Sequence, residues 1–177
     1  LGIAGTLYDM RQTRRARLRA EQVLSELDPR HHARLAANAL ALLGGIAYRQ
    51  GDMATASEMV RQSLAINQQL GNRSGAAADY ANLGVLAVGL LDLDRAHDYF
   101  ELALGLHDEL GNSRGVAIAH NNLGQFERNR RRFDQAAHHL EQSAATARRA
   151  DLTQVLAQSL ANLGQVQALA GRTTAAL

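Results

Sequence analysis

The sequence contains no cysteine, no tryptophan, no lysine and only one proline in 177 residues. Lack of cysteine excludes a disulfide framework, a cysteine nucleophile, an iron–sulfur site and a thiolate zinc site in these residues. It also fits the cytoplasm, which is the expected compartment. Aromatic residues make up 4% of the chain, too few for the aromatic-rich strands of a sandwich or barrel. With a single proline, long helices run without interruption. All 19 basic residues are Arg, set against 17 acids for a formal charge of +2, so bulk charge makes no case for nucleic acid despite a pI near 9.5. Abundant Ala and Arg without Lys is the composition of a GC-rich bacterial genome. No apolar run reaches the roughly 18 residues of a membrane span. The stretch from Leu83 to Leu91 comes nearest, and it is short and carries two glycines. Leu1 stands where an initiator Met or a signal peptide is absent, which reads as a piece of a longer protein. What is present, 46% hydrophobic and 20% charged residues, describes a packed chain and excludes disorder as the main state.

Self-similarity organises the chain. The tetrads Ala41-Leu42-Leu43-Gly44, Ala81-Asn82-Leu83-Gly84, Asn121-Asn122-Leu123-Gly124 and Ala161-Asn162-Leu163-Gly164 recur every 40 residues. Ala16, Ala56, Ala96, Ala136 and Ala176 keep the same period, as do Leu24, Leu64 and Leu104. Each unit holds two segments with helical apolar spacing, such as Leu83, Leu86 and Leu90 followed by Ala96, Phe100, Ala103 and Leu104. Gly71 and Gly111 stand where a left-handed residue closes a helix, and Asn72, Ser74, Asn112 and Ser113 offer oxygens to cap the next one. Gly51-Asp52 ends one helix and caps another, and Asp92 caps in the second unit. Arg132 holds the same place in the third unit and cannot cap. The expected helices span 1–10, 14–27, 31–49, 54–70, 73–90, 94–110, 113–130, 134–150 and 153–170, with a new start at 173. Asp28-Pro29 is expected to close the second early.

The small residues Gly44, Ala56 and Ser63, then Gly84, Ala96 and Ala103, then Gly124, Ala136 and Ser143, repeat at steps of 12 and 7. Leu precedes each Gly, a bulky residue precedes the Ala (Met53, Leu93 and Phe133 lie three before it), and a large apolar residue follows four later (Val60, Phe100, Leu140). In this pattern the chain resembles the tetratricopeptide repeat family. Its physical need is close approach of two antiparallel helices. The unit is 40 residues rather than the family's usual 34, and Gln68, Asp108 and Arg148 replace the usual Pro. The longer unit is similar to the subclass found in bacterial signal-transduction ATPases and transcription regulators and in animal polarity scaffolds. The resemblance implies an all-α, right-handed solenoid of antiparallel helix pairs. About four and a half repeats are expected in one domain over 1–177, at 1–30, 31–72, 73–112, 113–152 and a truncated 153–177.

In such an array the first helices line an extended binding face. The expected peptide-binding residues are Asn82, Asn121, Asn122, Gln125, Arg128, Asn129, Gln158, Asn162 and Gln165. An amide bonds both the N–H and the C=O of an extended peptide, and Asn82, Asn122 and Asn162 are the leading backbone anchors. Bonding to a neighbouring helix is the competing reading for the same side chains. Arg128, Arg130, Arg131 and Arg132 form one basic cluster and Arg11, Arg14, Arg15, Arg17 and Arg19 another; either meets acidic groups or is a solvated face. His31-His32 and His138-His139 point to different helix faces, and His97, His107 and His120 stand alone in sequence, so no metal site is expected. Neither a catalytic constellation nor a phosphate loop is present, and the reading is a non-enzyme without cofactor.

The expected function is protein or peptide binding, as the sensor or scaffold segment of a larger bacterial regulatory protein. The regulator is implied by the resemblance, which includes antibiotic-regulatory and maltose-regulator-like transcription factors. Its nucleotide- and DNA-binding parts lie elsewhere, so this segment should bind no nucleic acid and no membrane. The alternative is an assembly spacer with no groove ligand, self-associating through apolar ends at Leu1 to Leu7 and Ala175 to Leu177.

Overall fold

The computed structural model describes residues 3–26 and 29–174, with side chains from Thr13 to Glu26 except Val23 and from His32 to Gly171. These residues form eight helices, with no strand among them. The chain divides into two compact units, Leu1–Leu91 and Asp92–Leu177. The first holds α1 (Ile3–Glu26), α2 (Pro29–Arg49), α3 (Met53–Gln69) and α4 (Arg73–Gly89). The second holds α5 (Leu93–Glu109), α6 (Ser113–Asn129), α7 (Phe133–Arg149) and α8 (Thr153–Thr174). Within each unit every helix packs on the next, and alternate helices touch, α2 with α4 and α6 with α8. Apolar ends at Leu1 to Leu7 and Ala175 to Leu177 lie outside the residues with described side chains.

The joints follow from local chemistry. Asp52, Asn72, Asp92 and Asn112 each accept the N–H three residues on, at Thr55, Gly75, Arg95 and Gly115. Arg132 stands at the N-cap of α7 without a side-chain bond, as its lack of an acceptor requires. Gly51, Gly71 and Gly111 take φ of +81°, +61° and +62°, but the equivalent places in other joints hold Leu91, Arg131 and Asp151 at +61°, +61° and +54°. The repeat therefore imposes its turn on side chains that disfavour it.

Two expected helix breaks are absent. Residues 3–26 are one helix, because Arg11-Gln12-Thr13 contains neither Pro nor Gly to stop it. Likewise α8 runs through Gly171 to Thr174 instead of stopping before a new helix at 173. Asp28 lies outside the described residues, while Pro29 opens α2, where its missing N–H costs nothing. That helix is kinked in its first turn at His32, with φ −128° and ψ 27°.

The core is built on close crossings. A Cβ on Gly44 would lie 2.7 Å from Val60 Cγ2 and 3.2 Å from the Ala56 carbonyl oxygen, and one on Gly124 would lie 2.6 Å from Leu140 Cγ and 3.2 Å from the Ala136 oxygen. Ala56, Ala96 and Ala136 are fully buried. Small residues at both partners let each first helix settle onto its second.

In the first unit, polar groups are buried beside that crossing. Asp79 on α4 is 2% exposed and accepts from Ser63 Oγ at 2.8 Å and Asn67 Nδ2 at 2.7 Å. Asn67 in turn accepts from Asn72 Nδ2 at 2.6 Å, and Asn72 caps α4. Burial pushes the Asp79 carboxyl up from its ordinary value, against the downward pull of Asn67 and Ser63. A Cβ on Gly75 would collide with the Asn67 amide, so that glycine makes room for the network.

Candidate peptide-binding face

The second unit brings most of the expected residues together on α6 and α8. Asn121 is 6% and Asn162 4% exposed, and their amides are spent inside the protein. Asn162 Nδ2 donates to Asn121 Oδ1 at 3.1 Å, which also accepts Gln125 Nε2 at 2.7 Å. Asn121 Nδ2 donates to Ser159 Oγ at 3.1 Å, and Ser159 stands 2.7 Å from Ser143, whose hydroxyl donates to the Ala117 carbonyl at 2.6 Å. Ser159 also lies 2.8 Å from the Val155 carbonyl as a donor, so its one proton has two acceptors in reach, Val155 O and Ser143 Oγ, and both buried hydroxyls are bonded in either arrangement, as burial demands. These two asparagines therefore lie beneath the face and hold α6 to α8.

Above them are the accessible groups. Asn122, Gln125 and Arg128 are half-buried, and Asn129, Gln158 and Gln165 are exposed. Arg128 Nη1 donates to Gln165 Oε1 at 2.8 Å, bridging the two helices, and Nη2 lies 3.4 Å from Asn129 Oδ1. Gln158 Nε2 donates to Asn162 Oδ1 at 3.3 Å. The result is a row of amides and one guanidinium, oriented from below by a bonded layer. Asn82 belongs to the first unit, where it is exposed on α4. One register position thus gives an exposed, a half-buried and a buried asparagine at 82, 122 and 162.

The arginine cluster disperses. Arg128 turns to α8, Arg130 lies 5.3 Å from the centroid of the Phe126 ring, and Arg132 Nη1 stands 3.7 Å from Glu127 Oε2. Glu127 is 4% exposed and that oxygen has no hydrogen-bond partner among the described residues. It borders a cavity of about 540 Å³ with His97, Arg132, Asp134, His138 and His139. In the first cluster, Arg17 pairs with Glu21 at 2.8 Å, and the side chain of Arg11 lies outside the described residues.

His120 is isolated in sequence but not in space: its Nδ1 lies 3.1 Å from His139 Nδ1. The contact joins α6 to α7, and spacing along one helix cannot reveal it. One ring must donate and the other accept, so the bond needs a neutral partner. Burial, then the charges of His139 and His138, lower His120 to about 4 against the opposing pull of Asp108. His139 is lowered by burial and by His138 and His97, with Glu101 and Glu127 opposing. Both groups bind protons more weakly folded than unfolded. Their contribution to stability is complete above the ordinary value near 6.5 and is lost as pH falls toward about 4. Urea midpoints measured across that interval should decline for the native chain and decline less for His120→Gln; equal slopes would refute this account.

Among the described residues, no group of three or more His, Asp or Glu is placed to hold a metal, and no helix is long and apolar enough to cross a membrane.

Residues 35–109 match the tetratricopeptide repeat family model. Among solved structures, BtubC (BKLC) from P. vanneervenii is similar at 29% identity and a TM-score of 0.67, covering 90% of this chain and 64% of that one. Aspartyl phosphate phosphatase F from Bacillus subtilis shares the fold at 12% identity and a TM-score of 0.81, covering 96% of this chain and 45% of that one. The nearly identical tetratricopeptide-like repeats of a putative kinesin light chain from Podosopora anserina give 16% identity and a TM-score of 0.62, covering 94% and 88%. The chain spans less than two thirds of the length of the first two. No curated protein matches it.

Proposed function

The chain carries tetratricopeptide repeats, and from that premise we propose that it is a protein-interaction module that takes an extended peptide of a partner along the face of α6 and α8. The observation that carries this reading is the Arg128–Gln165 bridge, 2.8 Å long between residues 37 apart. It presents a guanidinium and amides at the surface of a buried bonded layer. Asn122 and Gln125 suit the peptide N–H and C=O, and Arg128 suits a carboxylate, for which its planar fork is shaped. On the first unit, taken by itself, Asn82 offers an exposed amide. Asn121 and Asn162 act as supports, since their amides are already bonded.

We place the module in the cytoplasm, as the sensor segment of a larger regulatory protein; the long repeat unit supports this. A sensor needs different affinity for two states of its parent, because a ligand that binds both equally shifts nothing.

Titration calorimetry with an identified partner tests the face. Removing Asn122, Arg128 and Gln165 together should weaken binding by about 1–3 kcal/mol per lost buried bond, with the fold intact. Asn162→Ala should instead lower the unfolding midpoint. Unchanged affinity in the triple variant would end the proposal.

A further inference from the structure

We propose that copies of this chain join head to tail, α8 of one copy seating in an open apolar groove between α1 and α2 of the next. The argument starts from how α6 is held. Its Gly124 lies against Ala136 and Leu140 of α7, its His120 meets His139 of α7, and its Asn121 bonds Ser159 and Asn162 of α8. Three 40-residue steps earlier, these seat positions are Ala16, Arg19, Ala20, Ala39 and Leu42. All five line one open groove of about 840 Å³. The chain therefore repeats, on α1 and α2, the kind of seat that receives a first helix. Leu18, Leu35 and Leu42 also line it, and they remain 56%, 51% and 45% exposed. Uncovered apolar surface of this kind favours an occupant.

On α8, the equivalents of the α6 contacts are open. Gly164 stands where Gly124 does, and a Cβ there would meet nothing within 4 Å among the described residues. Leu160 replaces His120 and is 45% exposed, and Ala161 replaces Asn121 and is exposed. Chemistry matches on the two sides. In the second unit a polar helix face meets a polar seat through His120, Asn121, His139, Ser159 and Asn162. In the joint between copies an apolar face meets a mainly apolar seat, with Gly164 over Ala16 and Ala20 and with Ala161 over Ala39 and Leu42, while exposed Asn38 also lines the groove. Leu160 then lies along the stem of Arg19, whose head stays in water. Arg15 and Arg19 at the rim meet no like charge, because α8 carries no charged side chain from Thr153 to Gly171.

The contact uses different surfaces on the two copies, so it is heterologous and generates rings or growing chains rather than a closed symmetric pair. It leaves Asn122 and Arg128 untouched, so its failure and that of the peptide face are separable.

Sedimentation velocity of the whole chain from low to high micromolar concentration tests it. The native chain should gain mass beyond a dimer as concentration rises. Gly164→Leu adds bulk where the single copy has space, and Leu42→Arg charges an exposed position of the groove, so both should fold, as circular dichroism would verify. Each should weaken association about tenfold or more, roughly 1.4 kcal/mol or above. Mixed together, they should form a 1:1 heterodimer that grows no further, because the first keeps its groove and the second its α8. A native chain that stays monomeric, association that both variants leave intact, or a mixture that does not pair would each overturn the proposal.

Discussion

Gly124→Val should lower the free energy of unfolding by about 3 kcal/mol or more, the scale of severe overpacking in a filled core. A Cβ alone would stand 2.6 Å from Leu140 Cγ and 2.9 Å from its Cδ2, with the Ala136 carbonyl oxygen at 3.2 Å. Leu140 is fully buried and packs with Ala136 and Val166, so it has no free volume into which to retreat. The backbone oxygen cannot move without parting α6 from α7. The equivalent glycine tells the opposite story one repeat later. Gly164 occupies the same register with nothing within 4 Å, and Gly164→Ala should stabilise the chain by about 0.5–1 kcal/mol, the helix-propensity gain of Ala over Gly. Urea denaturation of both variants checks the pair. If Gly124→Val were tolerated, or if both glycines responded alike, close helix crossing would not be what keeps Gly124.

This contrast shows how far the sequence reading reaches. A 40-residue period states which positions are equivalent, and equivalent positions share backbone geometry: the caps at Asp52, Asn72, Asp92 and Asn112 and the glycines at 51, 71 and 111 were all legible. So was the inability of Arg132 to cap. The period does not state what a position faces, since that depends on residues contributed by other helices. Asn82, Asn122 and Asn162 share a register yet differ in burial, because Asn162 meets Asn121 and Gln158. Ser63 and Ser143 were legible as small residues at a crossing, while their hydroxyls turn out to carry bonded networks with Asp79 and Ser159. Contacts between helices, such as His120 with His139, have no mark in the spacing of either helix. The missed continuity of α1 has another cause: Arg11-Gln12-Thr13 contains no helix breaker, so no local residue enforces the expected break.

Loss of the buried carboxyl should be the second large effect. Asp79→Ala is expected to cost about 3 kcal/mol, because two buried donors lose this acceptor, one outright and the other keeping only the 3.4 Å contact from Asn67 Nδ2 to Ser63 Oγ, and each unpaired group costs about 1–3 kcal/mol. Those donors are Ser63, fully buried, and Asn67, 3% exposed. Damage should pass along the chain of bonds, since Asn67 positions Asn72 and Asn72 caps α4 at Gly75. Asp79→Asn separates the acceptor from the charge. Its single amide oxygen can take the place of Asp79 Oδ2, which accepts both bonds, and it carries no charge to desolvate. Near neutral pH it should therefore lie within about 1 kcal/mol of the native chain, far above Asp79→Ala, as a hydrogen bond replaced in kind costs little. Acid adds a sign. The folded-state carboxyl titrates above its ordinary value of 3.8, so above 3.8 the native state holds its proton more tightly than the unfolded chain does. Stability from this group therefore falls as pH rises through that raised value. The native chain should gain on Asp79→Asn as pH is lowered from neutral toward 4, and taking the difference between the two cancels the opposing loss from His120 and His139. Urea midpoints at paired pH values measure it. Asn as damaging as Ala would show that the charge itself is required, and a difference that stays flat with pH would show that burial does not hold the proton on Asp79.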